Sequence, residues 1–283
     1  MSKNVIRRKV LAPKSGADDE HESRNGGVQS VDRALSIIET LAEDDEGYRL
    51  SDLAVRTALS PSTVHRLLAT LESRRFVQFD RAESKWHVGA RSFTVGATFA
   101  RRRNFSAQAV PFLRKLRDLT RETANLAVVD DEFIIVLTRM ESREIMRSLT
   151  KVGGRVAMVT SGVGKAVLAT YSDEDVTAII RHHGMPRLTE KSIVRPGDLF
   201  RELQRIRKQG YAIDDEEAQI GLRCVATVVY DNCAEPLAAI SVSGMTSRVT
   251  DERLPEIGRV VREVAAEFTG ALGGVMPGAV DRD

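Results

Sequence analysis

Ser60-Pro-Ser-Thr-Val-His-Arg-Leu-Leu-Ala-Thr-Leu71 reads as one helix with two unlike sides. Val64, Leu67, Leu68 and Leu71 fall in one stripe, because positions three, four and seven apart return to the same side of a 3.6-residue turn. The opposite side carries Ser62, Arg66 and Thr70, flanked by Thr63 and His65. Ser60 is a natural N-cap, and Pro61 suits the first helical position, where no N–H is needed. Working outward, Ala58-Leu59-Ser60-Pro61 forms a turn after a short helix over 51–57. A first helix is expected over 30–43, with Val31, Ala34, Leu35, Ile38, Leu41 and Ala42 as its apolar stripe. Downstream, 76–79 reads as a strand, 80–84 as a turn and 85–88 as a returning strand. Three helices and then a hairpin predict a winged helix-turn-helix.

The chemistry of this half fits duplex DNA. A major groove about 12 Å wide admits one α-helix. The face from Ser62 to Thr70 carries short hydroxyls, one arginine, one histidine and no acid, so the helix can approach closely while Arg66 reaches a guanine edge or a phosphate. Gln29, Ser30 and Arg33 open the first helix and suit phosphate oxygens. Arg81 and Lys85 on the wing are expected at the DNA backbone or the minor groove. Charge agrees: the chain is only +2 overall, yet residues 60–103 hold 9 basic side chains against 3 acidic ones. The competing reading is an ordinary trihelical surface with solvated charge. The hairpin carrying Arg81 and Lys85, the basic excess and a separate downstream domain weigh against it.

At 283 residues the chain accommodates two domains of about 100–200 residues. Hydrophobic residues make up 42% and charged residues 29%, a balance that builds real cores. No apolar run approaches the ~18 residues of a membrane span. Lys3, Arg7, Arg8 and Lys9 interrupt any secretory core. Two cysteines cannot form a disulfide framework, so a reducing cytoplasm is the expected compartment. Membrane, secreted and fibrous classes are thereby excluded. Residues 1–26 are expected to be a disordered tail, 27–89 the winged domain and 90–105 a linker helix, with the remaining 106–283 a second domain. In that domain helices are expected at 106–122, from 161, and at 172–183, 196–209 and 251–272. Strands are expected at 125–129, 133–139, 145–149, 211–214, 224–230 and 237–243. Hairpin-joined strands with helices outside them predict an antiparallel α+β domain.

Thr160-Ser-Gly-Val-Gly-Lys-Ala166 invites a phosphate-loop reading, which fails: Ala166 replaces the magnesium-holding Ser or Thr, and Val159 occupies the first glycine position. What survives is a glycine-flanked helix start whose N–H groups can cradle a small anion, against the plainer reading of a tight turn. Ser241 and Ser243, two apart on a strand, share a face and need partners if that face is buried. Asp214 ends a strand in an Asp-Asp-Glu-Glu run expected to be mostly solvated. Cys224 reads as core packing, with a nucleophilic role the enzyme alternative. That alternative lacks a motif bringing His182 or His183 to the thiol, and no metal-ligand spacing exists.

Val28-Gln-Ser-Val-Asp-Arg-Ala-Leu-Ser-Ile37 and the 60–71 segment resemble the DNA-binding domain of the IclR family of bacterial transcription regulators. The likeness continues in Gly210-Tyr-Ala-Ile-Asp-Asp-Glu-Glu217, Gly221-Leu-Arg-Cys-Val-Ala226 and Ala239-Ile-Ser-Val-Ser-Gly244. It implies a winged helix-turn-helix, a linker helix and a GAF-like effector-binding domain, acting as homodimers or homotetramers on palindromic double-stranded operators. The segment 158–169 is similar to that of the family's glyoxylate- and pyruvate-responsive member. By that similarity the backbone N–H groups of Gly162 and Val163 hold an effector carboxylate. Asp214, Cys224, Ser241 and Ser243 complete the polar site, with Val156 and Leu222 as apolar walls. Val163 departs from a smaller alanine in the family pattern. The implied effector is glyoxylate or a similar 2-oxoacid, the alternative an aromatic or other organic acid, with no cofactor and no membrane partner. Asp214 beside an anion must be protonated, accept from a gem-diol hydrate, or orient its neighbours.

Overall fold

The computed structural model describes residues 28–103, 105–130, 133–142 and 151–277. The tail expected at 1–26 and the strand expected at 145–149 lie outside the described residues. Contacts divide the chain into two compact units, Met1–Gly96 and Ala97–Asp283.

In the first unit α1 (Gln29–Leu41), α2 (Leu50–Arg56) and α3 (Pro61–Ser73) precede the hairpin of β1 (Val77–Asp80) and β2 (Lys85–Val88). Helix α4 (Ala90–Arg103) follows and crosses the division between the units. Ser60 caps α3 as the sequence predicts, its Oγ accepting from the Thr63 N–H at 3.2 Å. The end of α2 carried no glycine signal. Ala58 takes the left-handed conformation (φ 51°), and Leu59 N–H reaches back to the Ala54 carbonyl at 3.1 Å, closing a Schellman-type turn. The core joins Ile37 and Leu41 of α1 to Leu53, Val64, Leu68, Val77 and Trp86. Val64 and Leu68 are fully buried, while Leu67 and Leu71 border them half-buried.

The stripe expected on α1 needs correction. Ile37, outside that stripe, is fully buried, whereas Val31 and Leu35 are 52% and 51% exposed. At 3.6 residues per turn Ile37 lies nearly opposite Leu35, and the apolar arc of this helix is wider than the arc its neighbours cover. Tyr48 adds an unforeseen bridge to Trp86, exchanging backbone hydrogen bonds of 3.1 and 2.8 Å, and so ties the wing to the segment after α1.

In the second unit α5 (Phe105–Thr120) leads into β3 (Thr123–Asp130), β4 (Phe133–Met140) and β5 (Arg155–Ala157). Helices α6 (Gly162–Leu168), α7 (Asp173–His183) and α8 (Pro196–Gln209) come next. Then follow β6 (Ala212–Asp215), β7 (Leu222–Tyr230), β8 (Pro236–Met245) and α9 (Leu254–Ala271). Among the described residues the sheet runs β5-β4-β3-β8-β7-β6, every neighbouring pair antiparallel. The architecture is α+β, as expected. Strand β5 went unforeseen because three edge residues are too few to display alternation.

Alternation splits the sheet between two cores. Leu126, Val225, Ile240 and Val242 pack against α5 and α9 on one face. Ala127, Ala226, Val228 and Ala239 pack against α6, α7 and α8 on the other. That second face turns polar toward one end of the strands, and the start of α6 lies over the polar end.

Candidate functional site

Two surfaces, one on each unit, gather the residues singled out by sequence. On the first unit, Ser30 and Arg33 of α1 line one groove of about 270 Å³ with Thr63, Arg66 and Thr70 of α3. Thr70 Oγ1 donates to the Arg66 carbonyl at 3.0 Å, which holds the hydroxyl against the helix. Ser62 and Thr63 hydroxyls sit 3.0 and 2.8 Å from the Ser60 cap. His65 and Arg81 line a second groove of about 510 Å³ on the other flank of α3. Gln29 is exposed at the first residue of α1. Lys85 opens β2 at the end of the wing turn, half-buried. Its ammonium pairs with Glu83 at 3.4 Å, and Arg81 is the exposed cation at the wing turn.

On the second unit, strand register assembles the polar residues. Asp214 pairs with Cys224, Cys224 with Ser243, and Ser243 with Thr123, so the four form one row across β6, β7, β8 and β3. One step along, Ser241 stands between Ala226 and Asn125 on the same face. Ser241 and Ser243 are 1% and 8% exposed. Both accept from the Asn125 side-chain amide, Nδ2 lying 3.3 Å from Ser241 Oγ and 3.4 Å from Ser243 Oγ. Arg139 of β4 is opposite Asn125 in register, its side chain 12% exposed.

Helix α6 closes over this row. Ser161 caps it, accepting from Gly164 N–H at 3.0 Å and donating to the Ala157 carbonyl at 2.9 Å. The first N–H groups of a helix have no intrahelical acceptor, so those of Gly162 and Val163 are available as donors. A Cβ on Gly162 would stand 3.1 Å from the Cys224 carbonyl and 3.2 Å from its sulfur, so a side chain there would press β7 back by a few tenths of an ångström. Five expected residues, Gly162, Asp214, Cys224, Ser241 and Ser243, therefore converge. Val163 joins them through its backbone, while its side chain packs in the core beneath.

The acidic run is not mostly solvated. Asp214 and Glu217 are each 5% exposed, with Asp215 and Glu216 partly buried. Asp214 Oδ1 accepts from the backbone N–H groups of Glu217 and Ala218 at 2.8 and 3.3 Å. Burial, reinforced by the Glu217 charge, nevertheless pushes its carboxyl up to about 7. Burial also raises Glu217, against the pull of Lys165. The Cys224 thiol is pushed up to about 11, chiefly by burial, which removes the thiolate an enzymic nucleophile would need.

Lys165 and Asn125 are the residues that sequence reading missed. Lys165 is fully buried, and its ammonium donates to the Ile213 carbonyl at 2.6 Å and to Glu217 Oε1, with Glu202 3.7 Å away. Its signal was a lone lysine directly ahead of the apolar run Ala166-Val167-Leu168, set against an acidic segment long enough to spare a partner. Asn125 carried a weaker one, an amide within an otherwise apolar strand.

The two units define a class: a helix-turn-helix DNA reader joined to a separate effector-binding domain. The profile of the IclR helix-turn-helix domain matches residues 30–81, and that of the bacterial transcriptional regulator IclR C-terminal domain matches 97–269. The chain is 42% identical over 251 residues to the acetate operon repressor of Salmonella typhimurium, covering 88% of this chain and 92% of that protein. It is 40% identical over 252 residues to the transcriptional repressor IclR of Escherichia coli, with 88% and 92% covered. The crystal structure of the Thermotoga maritima IclR superposes with a TM-score of 0.69 at 26% identity, covering 86% of this chain and 98% of that one. The chain belongs to the IclR family of bacterial transcriptional regulators. Among the described residues no helix is long and apolar enough to cross a membrane.

Proposed function

We propose that this regulator binds a palindromic operator as a homodimer or homotetramer and that a small 2-oxoacid, glyoxylate foremost, sets its operator affinity, controlling glyoxylate-related carbon metabolism. The carrying observation is the convergence of Ser241, Ser243, Asp214 and the N–H groups of Gly162 and Val163 around Cys224. A two-carbon oxoacid offers one carboxylate and one carbonyl, which helix N–H groups and hydroxyls can match. The relatives named as repressors support repression as the sense of control. On the DNA side, Gln29, Ser30 and Arg33 hold phosphates and Ser62, Thr63, His65, Arg66 and Thr70 face the groove. Arg81 and Lys85 are assigned to the wing contact, with Lys85 released from Glu83.

Calorimetry on the full chain tests the ligand. Glyoxylate or pyruvate is expected to bind, and the Ser241→Ala/Ser243→Ala double variant to lose that binding while keeping its fold. Benzoate binding in their place would favour an aromatic acid. For the DNA arm, Arg66→Ala is expected to cost about 1–3 kcal/mol of operator binding. Its thermal midpoint should not move, because Arg66 is exposed and off the Val64/Leu68 stripe. Gel shifts on the gene's own upstream region, with and without glyoxylate, read both effects. Equal operator affinity for Arg66→Ala and wild type would remove α3 as the reading helix.

A further inference from the structure

We propose that Asn125 is a positioning residue of the effector site: its amide N–H groups take up one lone pair on each of Ser241 and Ser243 and so turn both hydroxyl protons toward a bound ligand oxygen. The inference rests on the effector reading above and adds to it a device that sets hydrogen-bond direction. A serine hydroxyl has one proton and two lone pairs, and alone it can serve a ligand either as donor or as acceptor. Here Nδ2 lies 3.3 Å from one hydroxyl and 3.4 Å from the other, and an amide nitrogen can only donate. Each serine proton is therefore directed elsewhere.

Both hydroxyls also lie within hydrogen-bonding reach of the Cys224 sulfur. Sulfur is a weak acceptor, so a carboxylate or carbonyl oxygen arriving at the row competes for those protons on favourable terms. The register explains why an amide at this place serves the purpose. Asn125 stands directly opposite Ser241 and two pairs from Ser243, the next position on the same face, so a single planar group reaches both. On its other side β4 presents Arg139 in register, a cation that suits the amide oxygen rather than its NH₂. The ligand class this favours is one rich in acceptor oxygens, such as an anionic oxoacid, over an amine.

Asn125→Asp tests the idea because it is isosteric and reverses the direction. Ionised, it accepts the serine protons and leaves lone pairs facing the ligand. Calorimetry with glyoxylate and pyruvate on the full chain should show Asn125→Asp roughly 10–100-fold weaker than wild type at pH 8. The deficit, taken against wild type at the same pH so that Asp214, Glu217 and Cys224 cancel, should persist at pH 5.5, because the Arg139 charge in register on β4 keeps the new carboxyl ionised. Asn125→Ala should lose less than Asn125→Asp, and its loss should diminish in a Ser241→Ala background, since the amide acts through that hydroxyl. The alanine cycle stands alone if the aspartate variant does not fold. Equal losses in the two Asn125 variants, or an alanine effect unchanged by Ser241→Ala, would overturn the proposal. Failure of wild type to bind either oxoacid would instead overturn the effector reading beneath it.

Discussion

Lys165→Met is expected to lower the stability of the effector-binding unit by about 3–5 kcal/mol, because it strands buried carboxylates without their cation. The lysine is wholly enclosed, and Glu217 reaches its ammonium from 5% exposure, with Glu202 a second acid nearby. Removing one member of such a cluster exposes the desolvation cost of the others. Glu217→Gln in the methionine background should recover part of the loss, since a neutral amide tolerates burial better than an unpaired carboxylate. Urea unfolding followed by far-UV circular dichroism measures it. Trp86, the single tryptophan, lies in the core of the DNA-binding unit and supplies a fluorescence reference for that unit. A loss below about 1 kcal/mol would place the ammonium in contact with water and contradict its burial.

Effector affinity is expected to fall as pH rises through 7. Folding holds the Asp214 carboxyl at about 7, and an anion bound in the same row favours its neutral form further. Binding therefore takes up a proton above that value. Affinity should be nearly flat below pH 6, then decline toward about tenfold per pH unit once the free protein has ionised and until the bound form also ionises. Asp214→Asn removes the titration and should flatten the profile. The same group acts on stability with a definite sign. Its folded pKa lies above the ordinary aspartate value of about 4, so the folded state holds the proton longer, and Asp214 costs stability progressively as pH rises from about 4 to 7. The asparagine variant should thus gain on wild type at pH 8 relative to pH 5. A wild-type affinity unchanged from pH 6 to 8.5 would show Asp214 ionised in the complex and accepting from the ligand or its neighbours instead.

Much of the DNA-binding unit was legible because its information is local. The stripe of Val64 and Leu68, the Ser60 cap and the Pro61 start all lie within nine residues, and the helix forms where they predict. The α1 stripe failed for a reason of the same kind. Periodicity shows which arc of a helix is apolar, but only the packing of α2 and α3 decides which part of a wide arc is covered. In the effector site, two residues on one strand could be placed on one face from spacing alone, and Ser241 and Ser243 obey it. What no spacing could show was Asn125, 116 residues before Ser241.

The amino-acid sequence by itself determined the class of each unit, the ends of most helices and the residue types available for DNA and for a small acid, because caps, stripes and alternation act over a few residues. Tertiary structure alone decided which charges are buried. Asp214 and Glu217 share a run with Asp215 and Glu216, yet only the first two are enclosed, since α6 and its Lys165 cover the β6 end on that side. Burial is a property of what packs above a residue, and here the lysine of the covering helix lies 52 residues earlier in the chain than the acid it pairs with. The protonation of the site, and with it the sign of its response to pH, follows from that packing.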